Sequence, residues 1–455
     1  MIPKLDGAIA ATRFGLGARP GQIERASADP RGFLLAQIDT PGAVGLAPGS
    51  DQRLAVFRDY QQQQKLARQA GEPKDDAVKM AAKRLRDDAV ADFMARVRQG
   101  VMTDQDFAER WSLLFANHFT VSAVKVATAT LVGPFEQEVI RPHAFGRFED
   151  MLVASSQHPA MLLYLDQAQS IGPDSPAALR ATGAGRKVGL NENLAREIME
   201  LHTVGLKAGY SQADVTEFAR AMTGWSLGRP AQPQEPVGFI FRPGAHEPGV
   251  RTIMGRRYAE DGQAQARAVL ADLAASPHTA RHLALKIGRH FVSDEPPAAL
   301  TERLAKAYMT SHGRLDVVAR TLVASPEAWS PEPTKFKTPY EFLVSSWRAM
   351  DAPPSDPAQV TAVLTSMGQR PFSAPSPKGW PEEGPAWSSP DSIVKRMAWS
   401  EAFASQTAAQ TDPAVVAETT LGARLGPRAA QTIARAETRA EGLSILLMSP
   451  EFQRR

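Results

Sequence analysis

The sequence predicts a mainly α-helical, compact multi-helix fold with one small β-hairpin, and three observations carry that expectation. Helix starts are marked by Ser276-Pro277, Ser325-Pro326 and Ser449-Pro450, each placing a capping hydroxyl at N-cap and a preset φ at N1. Apolar side chains recur at helical spacing through 103–119, 191–204 and 277–291. Strand patterns do not alternate with helices, which argues against Rossmann and TIM-barrel architectures.

Taken in order, residues 51–99 carry long charged helical stretches, broken near Gly71-Glu72-Pro73. They read as a solvated helix pair at the periphery of one large helical domain over 1–455. Residues 103–165 are richer in large apolar groups and read as core. Thr103-x-x-Asp106 and Ser211-x-x-Asp214 resemble capping boxes with Asp in the Glu position. Residues 170–190, rich in Gly, Pro and Ser, read as a loop, and 191–224 as two helices. Residues 237–242 and 249–254 read as the two strands of a hairpin over 237–254, with His246 in its loop. Helices resume from 261 to 350, and the Pro- and Trp-rich stretch 371–390 interrupts them before the last helical run.

Composition removes several classes of function. With 52 Lys+Arg against 49 Asp+Glu, the net charge of +3 provides no strong field toward nucleic acid. Cysteine is absent, so disulfides, thiolate metal sites and Cys nucleophiles are excluded. No apolar run is long enough for a membrane span. Asp6 and Arg13 break the first apolar stretch, so no signal peptide is expected. The chain as it stands reads as cytoplasmic, and as periplasmic if exported with a partner. His-Glu-x-x-His, Walker, Gly-x-Ser-x-Gly and EF-hand signatures are all missing. Gly183-Ala184-Gly185-Arg186-Lys187-Val188-Gly189 reads either as a flexible linker or as a loop that cradles an anion.

Helical-wheel positions single out polar groups on apolar faces. His118 falls inside the arc of Phe107, Trp111, Leu114 and Phe115. His202 falls among Leu194, Ala195, Ile198, Met199 and Leu201, with Asn193 and Glu197 at the boundary. Near the helix end, a protonated His202 would also suit the helix dipole, a purely structural role. Glu192, Arg196 and Glu200 share the opposite face as ion pairs. On 277–291, Arg281 projects from the arc of Ala280, Leu283, Ala284, Ile287, Gly288 and Phe291. It needs a carboxylate or phosphate partner there, for which Asp214, Glu217 and Glu197 are candidates. His278, His282, Lys286, Arg289 and His290 occupy the polar face. Each inward His has a competing reading as a core residue bonded to a backbone carbonyl, and Arg281 one as a structural ion pair.

Longer motifs bring a family into view. The run Asn191-Glu192-Asn193-Leu194-Ala195-Arg196-Glu197-Ile198-Met199-Glu200-Leu201-His202 resembles the signature of the bacterial domain-of-unknown-function 1800 family. So does the stretch from Gly209-Tyr210-Ser211 through Asp214 and Glu217 to Gly224-Trp225. Asn117-His118-Phe119, His278-Thr279-Ala280-Arg281 and Lys337-Thr338-Pro339-Tyr340-Glu341-Phe342 extend the likeness along nearly the whole chain. The resemblance implies no established activity. It implies members that are often exported and often encoded beside a family resembling alkaline phosphatases and sulfatases.

Two functions are expected from this reading. The first is a hydrolytic enzyme of the cell envelope with a site built from His118, His202, Glu197, Asp214 and Arg281. There, a His beside a carboxylate would activate water and Arg281 would hold negative charge. A divalent metal held by His and carboxylate ligands is a variant of it. The second is a non-catalytic accessory protein that docks a phosphatase- or sulfatase-like partner, with Trp380 and Trp387 as anchors. The alternative for those two rings is packing onto their own loop.

Overall fold

The computed structural model describes residues 2–40, 45–72, 75–228, 235–408 and 411–455. The structure is 66% helical, and among the described residues there are only two small antiparallel sheets of two strands each, so the fold class is mainly α.

The helix-start signals operate unevenly. Ser276 and Ser449 accept from the backbone N–H of His278 and Phe452 at 3.2 and 3.3 Å, and Ser211 and Asp214 close a reciprocal capping box. Ser325 instead donates back to the Thr321 carbonyl at 2.7 Å, and only a short 3₁₀ turn follows it. Thr103 and Asp106 form no capping box. Thr103 accepts from Gln105 N–H at 3.0 Å, while Asp106 is fully buried, 3.2 Å from the Arg348 guanidinium. The Asp106–His118 helix is therefore held by packing. Phe107, Trp111, Leu114 and Phe115 are all buried, and Trp111 donates to the Ala144 carbonyl at 2.7 Å. Burial of such side chains is worth roughly 1.5–3 kcal/mol each, more than the ~1 kcal/mol of a missing cap.

That packing is part of one hydrophobic cluster running from Ile9 to Phe452. Phe14, Phe107, Trp111 and Phe291 meet there with ring centroids 5.8–6.2 Å apart. The Ser50–Gln69 and Asp76–Met102 helices pack together, tied by Arg53 to Asp88 and Asp92. Beyond Asp92 the second helix enters the core through Phe93, Val97 and Val101. Pro73, expected at the break between the two helices, lies outside the described residues.

The expected hairpin over 237–254 does not form. Phe239–Phe241 pairs back with Trp225–Leu227, in the register Trp225 to Phe241, and Arg251–Ile253 pairs forward with Arg256–Tyr258. The turn explains the second pairing. Met254 and Gly255 have φ of 47° and 78°, the two-residue primed geometry that matches strand twist. His246 lies between the two sheets, buried, with Nδ1 2.9 Å from the Thr223 carbonyl. The loop expected at 170–190 contains a helix, Pro176–Gly183, capped by Ser175; the segment before it and the exposed Gly-rich end beyond it are irregular.

Candidate active site

The Pro277–Phe291 helix carries His282, Lys286 and His290 at i, i+4 and i+8, on one face. The expectation of a solvated polar face is corrected here. His290 is buried, and His282 and Lys286 are half-buried against protein. The stripe meets the end of the Asp106–His118 helix, the turn ending in His202 and the segment 376–387.

At the first part of the stripe, the Asn193–Glu197 helix widens into a π-helical turn, Ile198–His202. Carbonyls at a helix end lack intrahelical partners. Two imidazoles from other segments supply them: His118 Nε2 donates to the His202 carbonyl and His282 Nε2 to the Leu201 carbonyl, each at 3.0 Å. Those bonds place the ring proton on Nε2, so His118 Nδ1 accepts from the Lys286 ammonium, also at 3.0 Å. The His118 ring centroid is 5.8 Å from that of His202 and 6.3 Å from that of His282.

Burial, and then the Lys286 charge, push these imidazoles away from protonation. His202 falls to about 3 and His282 to about 4, and His118 is held well below the ordinary value. Burial lowers Lys286 to about 8, opposed by the Glu382 charge. A protonated His202 at the helix dipole is thus replaced by a neutral one.

At the other end of the stripe, His290 Nδ1 lies 2.9 Å from Glu382 Oε2. The other Glu382 oxygen accepts from Asn117 Nδ2 at 3.2 Å. The segment bearing Glu382 is fixed to the same asparagine, with Trp380 N–H donating to Asn117 Oδ1 at 2.7 Å. Gly379, at φ +86°, allows that approach, since a Cβ there would meet Asn117 oxygens at 2.5 Å. Burial opposes ionisation of Glu382, but His290, Lys335 and Arg455 outweigh it and hold the carboxyl at about 2. Burial lowers His290, and Glu382 opposes that shift. His290 Nε2 has no hydrogen-bond partner among the described residues.

His290 and Glu382 line a small cavity of about 90 Å³, together with Arg96, Glu136, Tyr340 and Trp380. Glu136 pairs with Arg96 at 2.9 Å, and burial raises its carboxyl above the usual range. In the same cavity wall, Glu341 receives Arg110 at 2.9 Å, and it also receives Arg455 at 2.7 Å. Both guanidinium groups also reach the His290 carbonyl, which fixes the backbone of the dyad.

Of the five residues expected to share a site, His118 and His202 meet and the other three take separate positions. Glu197 is half-buried, raised by burial and by Glu200. Asp214 accepts from Ser211 at its own helix start and from Met254 N–H at 2.6 Å, joining the helix to the strand turn. Arg281, expected to project from the apolar arc, is exposed. Glu217 pairs with Arg220 and Arg251, and Glu192 with Arg196 at the expected spacing. Trp380 and Trp387 pack on each other with centroids 6.0 Å apart, and Trp387 is buried.

Sequence reasoning passed over His290, Glu382 and Glu136. The i, i+4, i+8 stripe was a signal for His290, whereas nothing local marked Glu382 in its Pro- and Trp-rich segment.

Among the described residues, no group of three or more His, Asp or Glu is placed to hold a metal ion. No helix among them is long and apolar enough to cross a membrane. A family model described as "Protein of unknown function (DUF1800)" matches residues 9–454. No curated protein and no solved structure matches the chain.

Proposed function

The chain belongs to the DUF1800 family, whose description assigns no activity, and from the site we propose that it is a hydrolytic enzyme acting in the cavity between the Asp76–Met102 and Asp106–His118 helices and the segment 369–382. The observation that carries this reading is the Glu382–His290 pair in the cavity wall. A carboxylate on Nδ1 fixes the tautomer and leaves the Nε2 lone pair as a base. Nε2 is buried and unpartnered among the described residues, and His290 takes a proton there from a water admitted with the substrate, as the water oxygen bonds to the electrophilic centre. The Glu382 charge stabilises the imidazolium that results. Glu136, whose carboxyl is raised above its usual range by burial, is the donor to the leaving group in this reading. In this reading Arg370, which is exposed and lines the cavity, takes the anion-holding role expected of Arg281. The metal-assisted variant has no ligand set among the described residues to rest on.

The test is a screen of purified protein against chromogenic carboxylic, phosphate and sulfate esters, with His290→Ala and Glu382→Gln beside the parent. Turnover should fall about 10²–10⁴-fold in both variants, with circular dichroism unchanged. No turnover in the parent, or equal turnover in the variants, contradicts the proposal.

A further inference from the structure

The three histidines and the lysine at the first part of the stripe lie outside the acid–base pair, and their charge balance is unusual. His118, His202, His282 and Lys286 come from three separate segments and converge through 3.0 Å contacts. Among the described residues, no carboxylate makes a hydrogen bond or ion pair with any of the four. Glu382, which acts on Lys286 through its charge, is engaged by His290 and Asn117. The surrounding charge is mostly positive. Lys378, exposed, acts on Lys286, and Arg289 acts on His282. Arg289 has its own partner, Glu383, only at 3.7 Å.

A desolvated ammonium is costly without a counter-charge, and Lys286 has none at ion-pair distance. It gives one N–H to His118 and keeps two others. His202 is 2% exposed, and its Nε2 has no hydrogen-bond partner among the described residues. At Gly205, with φ of +73°, an added Cβ would stand 3.0 Å from His282 Nδ1, so the glycine keeps the chain clear of that nitrogen. His282 and Lys286 are half-buried, so part of each residue is reachable from solvent.

We propose that the junction of Lys286, His282 and His202 is a binding site for a small oxyanion of the phosphate, sulfate or carboxylate class. The anion is the missing counter-charge. Its oxygens accept from the two remaining Lys286 N–H groups and from His202, under the field of Lys378 and Arg289. A bound anion also favours the protonated form of His282, turning Nδ1 into a further donor. The site stands independently of the hydrolytic reading, because none of its donors belongs to the His290–Glu382 pair.

Isothermal titration of the full chain with inorganic phosphate at low ionic strength tests it. The expected result is saturable binding at one site. Lys286→Met should weaken it about tenfold or more, the loss of a charge-assisted hydrogen bond. Lys378→Ala, a change at an exposed position, should weaken it about threefold through the lost field, and added salt should shrink that difference. The absence of saturable binding, or parent-like binding by Lys378→Ala and by folded Lys286→Met, overturns the site. If Lys286→Met does not fold, Lys378→Ala decides alone. Phosphate binding in a protein that hydrolyses nothing would sink the proposed activity and leave this site standing. Hydrolysis without phosphate binding would do the reverse.

Discussion

Glu382 Oε2 lies 2.9 Å from His290 Nδ1, and the two residues are 92 positions apart in the chain. The imidazole comes from a regular helix and the carboxylate from an irregular segment anchored on Asn117. The rigidity of the pair therefore depends on how that segment is seated, and several consequences follow from groups around it.

Acid should unfold the protein in part through the buried histidines. Their folded-state proton affinity is lowered, so below the ordinary histidine value of 6.5 the unfolded chain binds more protons and stability falls with pH. For His202 the window runs from 6.5 down to about 3. In that window one such group contributes a slope of about 1.4 kcal/mol per pH unit. Urea unfolding of the parent and of His202→Gln between pH 6 and 4 should show slopes that differ by about this amount. Asp92, raised to about 6 by burial, acts in the opposite sense and does so equally in both proteins. Parallel slopes would refute a neutral buried His202.

Glu341 neutralises two buried guanidinium groups, Arg110 and Arg455. Replacing it by glutamine leaves both cations uncompensated, and breaking a buried pair typically costs about 3–5 kcal/mol. The expected outcome for Glu341→Gln is a lowered urea midpoint of that size at pH 7. A change below about 1 kcal/mol would mean the guanidinium groups are solvated there.

Gly379→Ala should dislodge the segment that carries Glu382. The position combines φ of +86° with a close approach to Asn117 oxygens, so strain and overpacking add to roughly 2–4 kcal/mol. Denaturant midpoints measure the stability loss. Near-ultraviolet dichroism should also change, because the adjacent Trp380 moves. An unaltered spectrum and midpoint would contradict the seating described.

Met254→Asn should stabilise the protein. Methionine pays for a left-handed backbone at the first turn position, φ 47°, where asparagine is favoured before glycine. The gain expected is roughly 0.5–1 kcal/mol, measurable as a higher Tm. A lower Tm would show that the half-exposed methionine side chain contributes more by packing.

Much of the helical framework was legible in the sequence, because capping hydroxyls and apolar spacing are local signals. His118 and His202 were found as inward groups by their angular position alone. The same wheel misjudged His290 and Lys286, since helical angle cannot separate a face met by water from a face met by buried polar protein. Arg281 erred in the other direction, sitting beside the apolar arc yet reaching solvent. Glu382 had no local signal at all, because its role arises from a segment folded back across 92 residues of separation from its partner. The hairpin was mispaired because the two strand runs were matched to each other, when the Met254-Gly255 turn already supplied the partner for one of them.

The most direct measurement is ¹⁵N NMR of the His290 ring, assigned by comparison with His290→Gln, from pH 8 to 5. The account predicts a neutral imidazole at pH 7 to 8, with the proton on Nδ1, facing Glu382, and an unprotonated Nε2. A proton on Nε2, or a ring already charged at pH 7, would contradict the base on which the proposed hydrolysis rests.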